Sequence, residues 1–118
     1  MNASTGALLE RYQARRFNDQ EAIEFAGAGV VILARDYPDG TSTLVTSMFA
    51  RNNAGNVGRS LLHVQWAAGR GHAHYVFIVP VENLYEASRI QMEFHALCEP
   101  DRDDVGAADP ASAKRHRV

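Results

Sequence analysis

Apolar and polar positions change period several times along this chain, and each change marks an element. Between Ser4 and Arg16, Leu8, Leu9 and Tyr12 form a short apolar stripe at helical spacing, with Ser4 or Thr5 as cap, so a first helix is predicted there. Asn18 and Glu21 then stand at capping-box spacing, and Phe17 ahead of the cap can staple onto Ala22. This predicts a second, short helix with Ile23 and Phe25 as buried contacts; a strand over 23–26 is the competing reading. Gly27-Ala28-Gly29 interrupts the chain, and Val30 to Ala34 follows as five consecutive apolar residues, three of them β-branched. That run predicts a strand buried on both faces. Pro38-Asp39-Gly40 has turn chemistry: a preset first angle, a side chain that bonds back to the backbone, and a residue that accepts the left-handed region. The alternating segment Thr41 to Ala50 returns as a second strand, and the two strands are expected to pair as an antiparallel hairpin.

Beyond the loop Asn52 to Asn56, positions Val57, Leu61, Val64 and Ala68 step by four, three and four, which puts them on one helical face; Leu62 and Trp66 widen it. Gly69-Arg70-Gly71 ends that helix. From His72 to Val81 a third strand turns apolar on both faces toward its end, as a central strand does. Asn83 and Glu86 open the last helix with a second capping box, and Leu84, Ala87, Ile90, Phe94 and Leu97 form its stripe up to Pro100. The fold class read from this order is α+β: two N-terminal helices, a hairpin, a helix, a strand and a helix, with a small three-stranded sheet packed by helices. Residues 1–98 are expected to form the single domain and 99–118, rich in Asp, Ala and Pro, a disordered tail. A small sheet has open edges, and pairing across one of them makes a homo-oligomer the natural remedy.

Composition narrows the classes of function. With 118 residues there is room for one domain. A net charge of −2 and a pI of 6.2 argue against a broad nucleic-acid-binding face, which shows as basic excess. One cysteine excludes an internal disulfide. No stretch approaches the ~20 apolar residues of a membrane span, and the first residues lack the features of a signal peptide. A cytoplasmic location is expected. Eleven of the twelve basic residues are arginine, which suits a GC-biased coding background.

Three groups of residues carry candidate chemistry. Asn53, Gly55, Asn56, Gly58, Arg59 and Ser60 stand at the head of the third helix. Free N–H groups and the helix dipole favour an anion there, and glycines let a phosphate approach. The spacing matches neither the Walker loop nor the dinucleotide fingerprint. His72 and His74 share one face of the third strand, while His95 and Cys98 lie three apart near the end of the last helix. If that helix folds back over the histidine-bearing face, the four meet. They would then form a zinc site or a proton-transfer group, His72, His74 and His95 carrying it. The basic end, Lys114 to Arg117, reads as a solvated tail.

No nucleophile elbow frames a serine, and a cysteine near a helix C-terminus has its thiolate disfavoured. The reading therefore leans away from an enzyme. It expects a small binding or regulatory module without a cofactor, acting through a protein partner or a small anionic, nucleotide- or phosphate-like ligand, as a homo-oligomer. The type also suits an accessory protein of a phage or mobile element. A histidine-dependent metalloprotein or hydrolase is the alternative.

Overall fold

A computed structural model describes residues 1–67 and 74–100, without the side chains of residues 66 and 67. The expected readings of Ala68, Gly69-Arg70-Gly71, His72, the Trp66 side chain and the tail 101–118 lie outside the described residues. Within them the chain is an α+β fold of four helices and four strands. The order is α1 (Ala3–Arg11), β1 (Arg15–Phe17), α2 (Asp19–Ile23), β2 (Gly29–Asp36), β3 (Ser42–Ala50), α3 (Ala54–Ala67), β4 (His74–Pro80) and α4 (Leu84–His95).

The sheet has four strands in the order β1-β4-β2-β3, every neighbouring pair antiparallel, so the expected three-stranded sheet is corrected to four. The extra strand comes from the end of the first predicted helix. Asn2, not Ser4 or Thr5, is its cap, accepting from the Thr5 N–H at 2.8 Å. Gln13 adopts φ 52°, in the left-handed region, and ends the helix after Arg11. The chain reverses, and Arg15, Arg16 and Phe17 pair with Ile78, Phe77 and Val76.

The hairpin forms as expected. Its turn is held by Tyr37 donating to the Thr41 carbonyl and Gly40 donating to that of Tyr37. β2 and β3 pair from Gly29↔Ala50 to Asp36↔Ser42, with a bulge opposite Leu33 and Ala34. β2 and β4 are the two inner strands, which is why β2 is buried on both faces.

Alternation along β2 and β4 divides the core. Val30, Ile32, Ala34, Tyr75 and Val79 face Ala87, Ile90 and Phe94 of α4, with Leu8, Leu9 and Tyr12 of α1 alongside. Val31, Leu33, Val76 and Ile78 face Phe17, Ala22, Ala54 and Leu62 from the α2 and α3 side. Four large apolar side chains of β2, each contributing about 1.5–3 kcal/mol when fully buried, let the strand also carry the buried Arg35. α2 and α4 have the caps read from sequence. Asn18 accepts from Glu21 N–H at 2.8 Å and Glu21 accepts in return from Asn18 N–H; Asn83 accepts from Glu86 N–H at 2.7 Å.

Two burial expectations need correction. Ile23 is 49% exposed, because α2 is a single turn seated through Ala22 and Phe17 instead. In α3 the buried line runs through Gly55, Gly58 and Leu62, while Val64 is 61% exposed. The helix is rotated by one residue, about 100°, from the predicted face. Its glycines allow a closer approach than any side chain could, so the small residues face inward.

Candidate functional site

The glycines at the head of α3 are used in packing. A Cβ on Gly55 would overlap the Ala22 carbonyl oxygen and stand 2.6 Å from that of Phe25. On Gly58 it would stand 3.1 Å from Val76 Cγ2. The carbonyls at the end of α2 therefore lie against the first turn of α3, where an anion was expected. Arg59 pairs with Asp19 of α2, Nε to Oδ1 at 3.3 Å, and His63 donates from Nε2 to Oδ2 of the same carboxylate at 3.0 Å. The His63 hydrogen bond, followed by the charges of His63 and Arg59, holds Asp19 below the ordinary carboxylate range. Asn53, Asn56 and Ser60 remain exposed.

His74 does not converge with His95 and Cys98. His74 lies on the α3 side of the sheet, since its neighbour Tyr75 belongs to the α4-side core. Its Nε2 is 3.1 Å from Nη1 of the fully buried Arg35. Arginine only donates, so His74 Nε2 accepts and the neutral ring carries its proton on Nδ1. Cys98 is packed on the opposite, α4 side, its thiol donating to the Phe94 carbonyl at 3.4 Å, and His95 is exposed at the end of α4. Burial pushes the Cys98 thiol up to about 11, which keeps it protonated at neutral pH. His72 is outside the described residues. Among the described residues no group of three His, Cys, Asp or Glu side chains is placed to hold a metal ion.

A polar cluster closes the end of the sheet on the α4 side, with one residue from each strand. Asp36 accepts from Ser42 Oγ at 2.5 Å and from Tyr75 Oη at 3.1 Å, and it pairs with Arg16 at 3.8 Å. The Arg16 guanidinium lies 3.7 Å from the Tyr75 ring centroid. Burial, then the Asp36 charge, raises the Tyr75 hydroxyl above its ordinary value. Donors and acceptors are matched within the cluster, so it pins the four strands together.

Among the described residues the longer open edge of the sheet is β3. The sheet's two edges differ in chemistry. β1 is three residues long and carries the exposed Arg15 and Arg16. β3 is nine residues long, Ser42-Thr-Leu-Val-Thr-Ser-Met-Phe-Ala50, with no charge and no proline. Short length and charge are the usual protections against edge-to-edge pairing, and β3 has neither. Beside it, Met48, Val57, Leu61 and Val64 line an apolar hollow between strand and helix. Its sequence signal was readable as an uncharged alternating segment, but edge and centre are decided only by strand order. No helix of the described residues is long and apolar enough to cross a membrane. No protein-family model, curated protein or solved structure matches the chain.

Proposed function

We propose that this chain is a small non-enzymatic binding module that works through protein–protein contact, as a homo-oligomer assembled on the β3 edge. One observation carries the reading: the long edge lacks the charges that the short edge has. Outward-facing N–H and C=O groups on such a strand are a template for another strand. The strand best matched to it in length and lack of charge is β3 of a second copy. An anionic ligand at the head of α3 has no part in this reading, because Gly55 and Gly58 are engaged in packing and Arg59 by Asp19.

Light scattering across a concentration series tests it. Wild type is expected at a multiple of the 13.0 kDa chain mass at micromolar concentration. Thr46→Lys, which sets a charge into the otherwise uncharged seam, is expected to return the mass to 13.0 kDa without loss of far-UV circular dichroism. A wild-type chain that stays monomeric at the highest soluble concentration sinks the reading.

A further inference from the structure

The self-association just proposed is the premise of a more specific inference. We propose that two copies meet about a two-fold axis perpendicular to the sheet at Ser47 or Met48. Residues 45–50 of β3 then pair antiparallel with their copies, and the α4 helices lie antiparallel across the seam. The two four-stranded sheets become one continuous sheet.

The position of the axis follows from what is already covered. Glu99, after α4, donates its backbone N–H to the Leu44 carbonyl at 2.8 Å. Met1, Asn2, Thr5 and Leu97 gather against Thr41 to Leu44. The first part of the edge is thus approached by the start of α1 and by Leu97 and Glu99 after α4. Among the described residues, the run that no other strand or terminal segment covers is 45–50, about 20 Å at strand rise. An antiparallel pair about a perpendicular two-fold sets each residue opposite one equally far beyond the axis. Such an axis keeps each face of the sheet, so only residues pointing to the same side face each other and the axis passes at a residue; the free run 45–50 places it at Ser47 or at Met48. Charged residues near such an axis would face their own kind; this run has none.

The helix layer is aligned on the same point. Gln91 Nε2 donates to the Ser47 carbonyl at 3.2 Å and to Ser47 Oγ at 3.1 Å, while Ser47 Oγ is 3.2 Å from the Gln91 carbonyl, to which it donates. The Ser47 carbonyl keeps a second lone pair for a partner strand. α4 thereby lies over the outermost strand, across β3 and β2, whereas α3 is set back over β2 and β4. Leu84, Ser88 and His95 stand seven and three residues before Gln91 and four after it, on the same flank of α4. All three are exposed. A six-residue strand pair alone makes a thin contact; the α4 flank adds a second layer, which a specific interface needs.

Cross-linking and hydrogen exchange together test the seam. In a Cys98→Ala background, oxidation of Met48→Cys or of Thr46→Cys/Met48→Cys is expected to give a disulfide-linked dimer, one variant for each of the two axis positions. In the unmodified chain, raising concentration is expected to slow amide exchange at 45–50 and leave β1 unchanged. A dimer that cross-links in neither variant, with its concentration-dependent protection on β1 or α3, overturns the seam while self-association stands. A chain monomeric at every concentration overturns both.

Discussion

At the scale of single residues, the glycines decide how closely the layers approach. Gly55→Ala places a methyl group into the Ala22 carbonyl and is expected to destabilise the fold by roughly 2–3 kcal/mol in urea titration, since backbone cannot move aside as a flexible side chain can. Gly6→Ala in α1 meets nothing within 4 Å and is expected to stabilise by about 0.5–1 kcal/mol through helix propensity. Equal effects at the two positions would contradict the packing account. The sequence shows these glycines at the head of a helix but not what faces them. A glycine that admits a phosphate and one that admits a neighbouring helix are the same residue until the tertiary contact is known. Cys98 gives the pH-dependent expectation. Its native thiol keeps the proton up to about 11, whereas the unfolded thiol ionises from its ordinary 9.0. Between those values the folded state binds more protons, so stability is expected to fall as pH rises through that window, and Cys98→Ala to flatten the slope. Thiol-reagent kinetics at neutral pH should be slow. Rapid modification of the folded chain would count against the burial.

At the scale of elements, local chemistry was the legible part. The capping box of α2, the Asn83 cap of α4, the Pro38-Asp39-Gly40 turn, the doubly buried β2 and the inner strand β4 are written in short-range patterns, and the structure has them. Asn18→Ala removes the acceptor for the Glu21 N–H and is expected to cost about 1 kcal/mol by thermal or urea denaturation. α2 is only five residues long, so a loss much under that would mean its cap matters little to the fold. What was not legible has a physical cause in each case. β1 is three residues with no alternation, and pairing with β4, not propensity, makes it a strand. The α3 face was read from Val57, Leu61 and Val64 because large apolar residues mark the buried side of most helices. Here Gly55 turns the backbone toward α2 and Gly58 toward the sheet, and the larger side chains are left at the flank beside β3. That displaced flank is part of the surface the proposed function uses. His74 is kept from His95 and Cys98 by parity: His74 and Tyr75 point to opposite faces, and α4 packs on the Tyr75 side.

At the scale of the whole molecule, two clusters of buried side chains share one sheet. Val30, Ile32 and Ala34 of β2 belong to one cluster, and Val31 and Leu33 to the other. Neither face can lose its partner layer without exposing a strand on which the other depends. Unfolding is therefore expected to be a single cooperative transition, with far-UV circular dichroism and tyrosine absorbance superimposing in urea. Tyr12 and Tyr75 report the α4 side, and Tyr12 is tied to Glu93 of α4 by its hydroxyl. A tyrosine transition that precedes the loss of secondary structure would show the α1–α4 layer leaving by itself. The same titration bears on assembly. If β3 pairs with its copy, the folded dimer is in mass-action balance with unfolded monomer, and the urea midpoint rises with protein concentration. Thr46→Lys should remove that dependence while keeping the transition single. A midpoint independent of concentration in wild type would mean that the edge is stable unpaired, its exposed N–H and C=O groups satisfied by water.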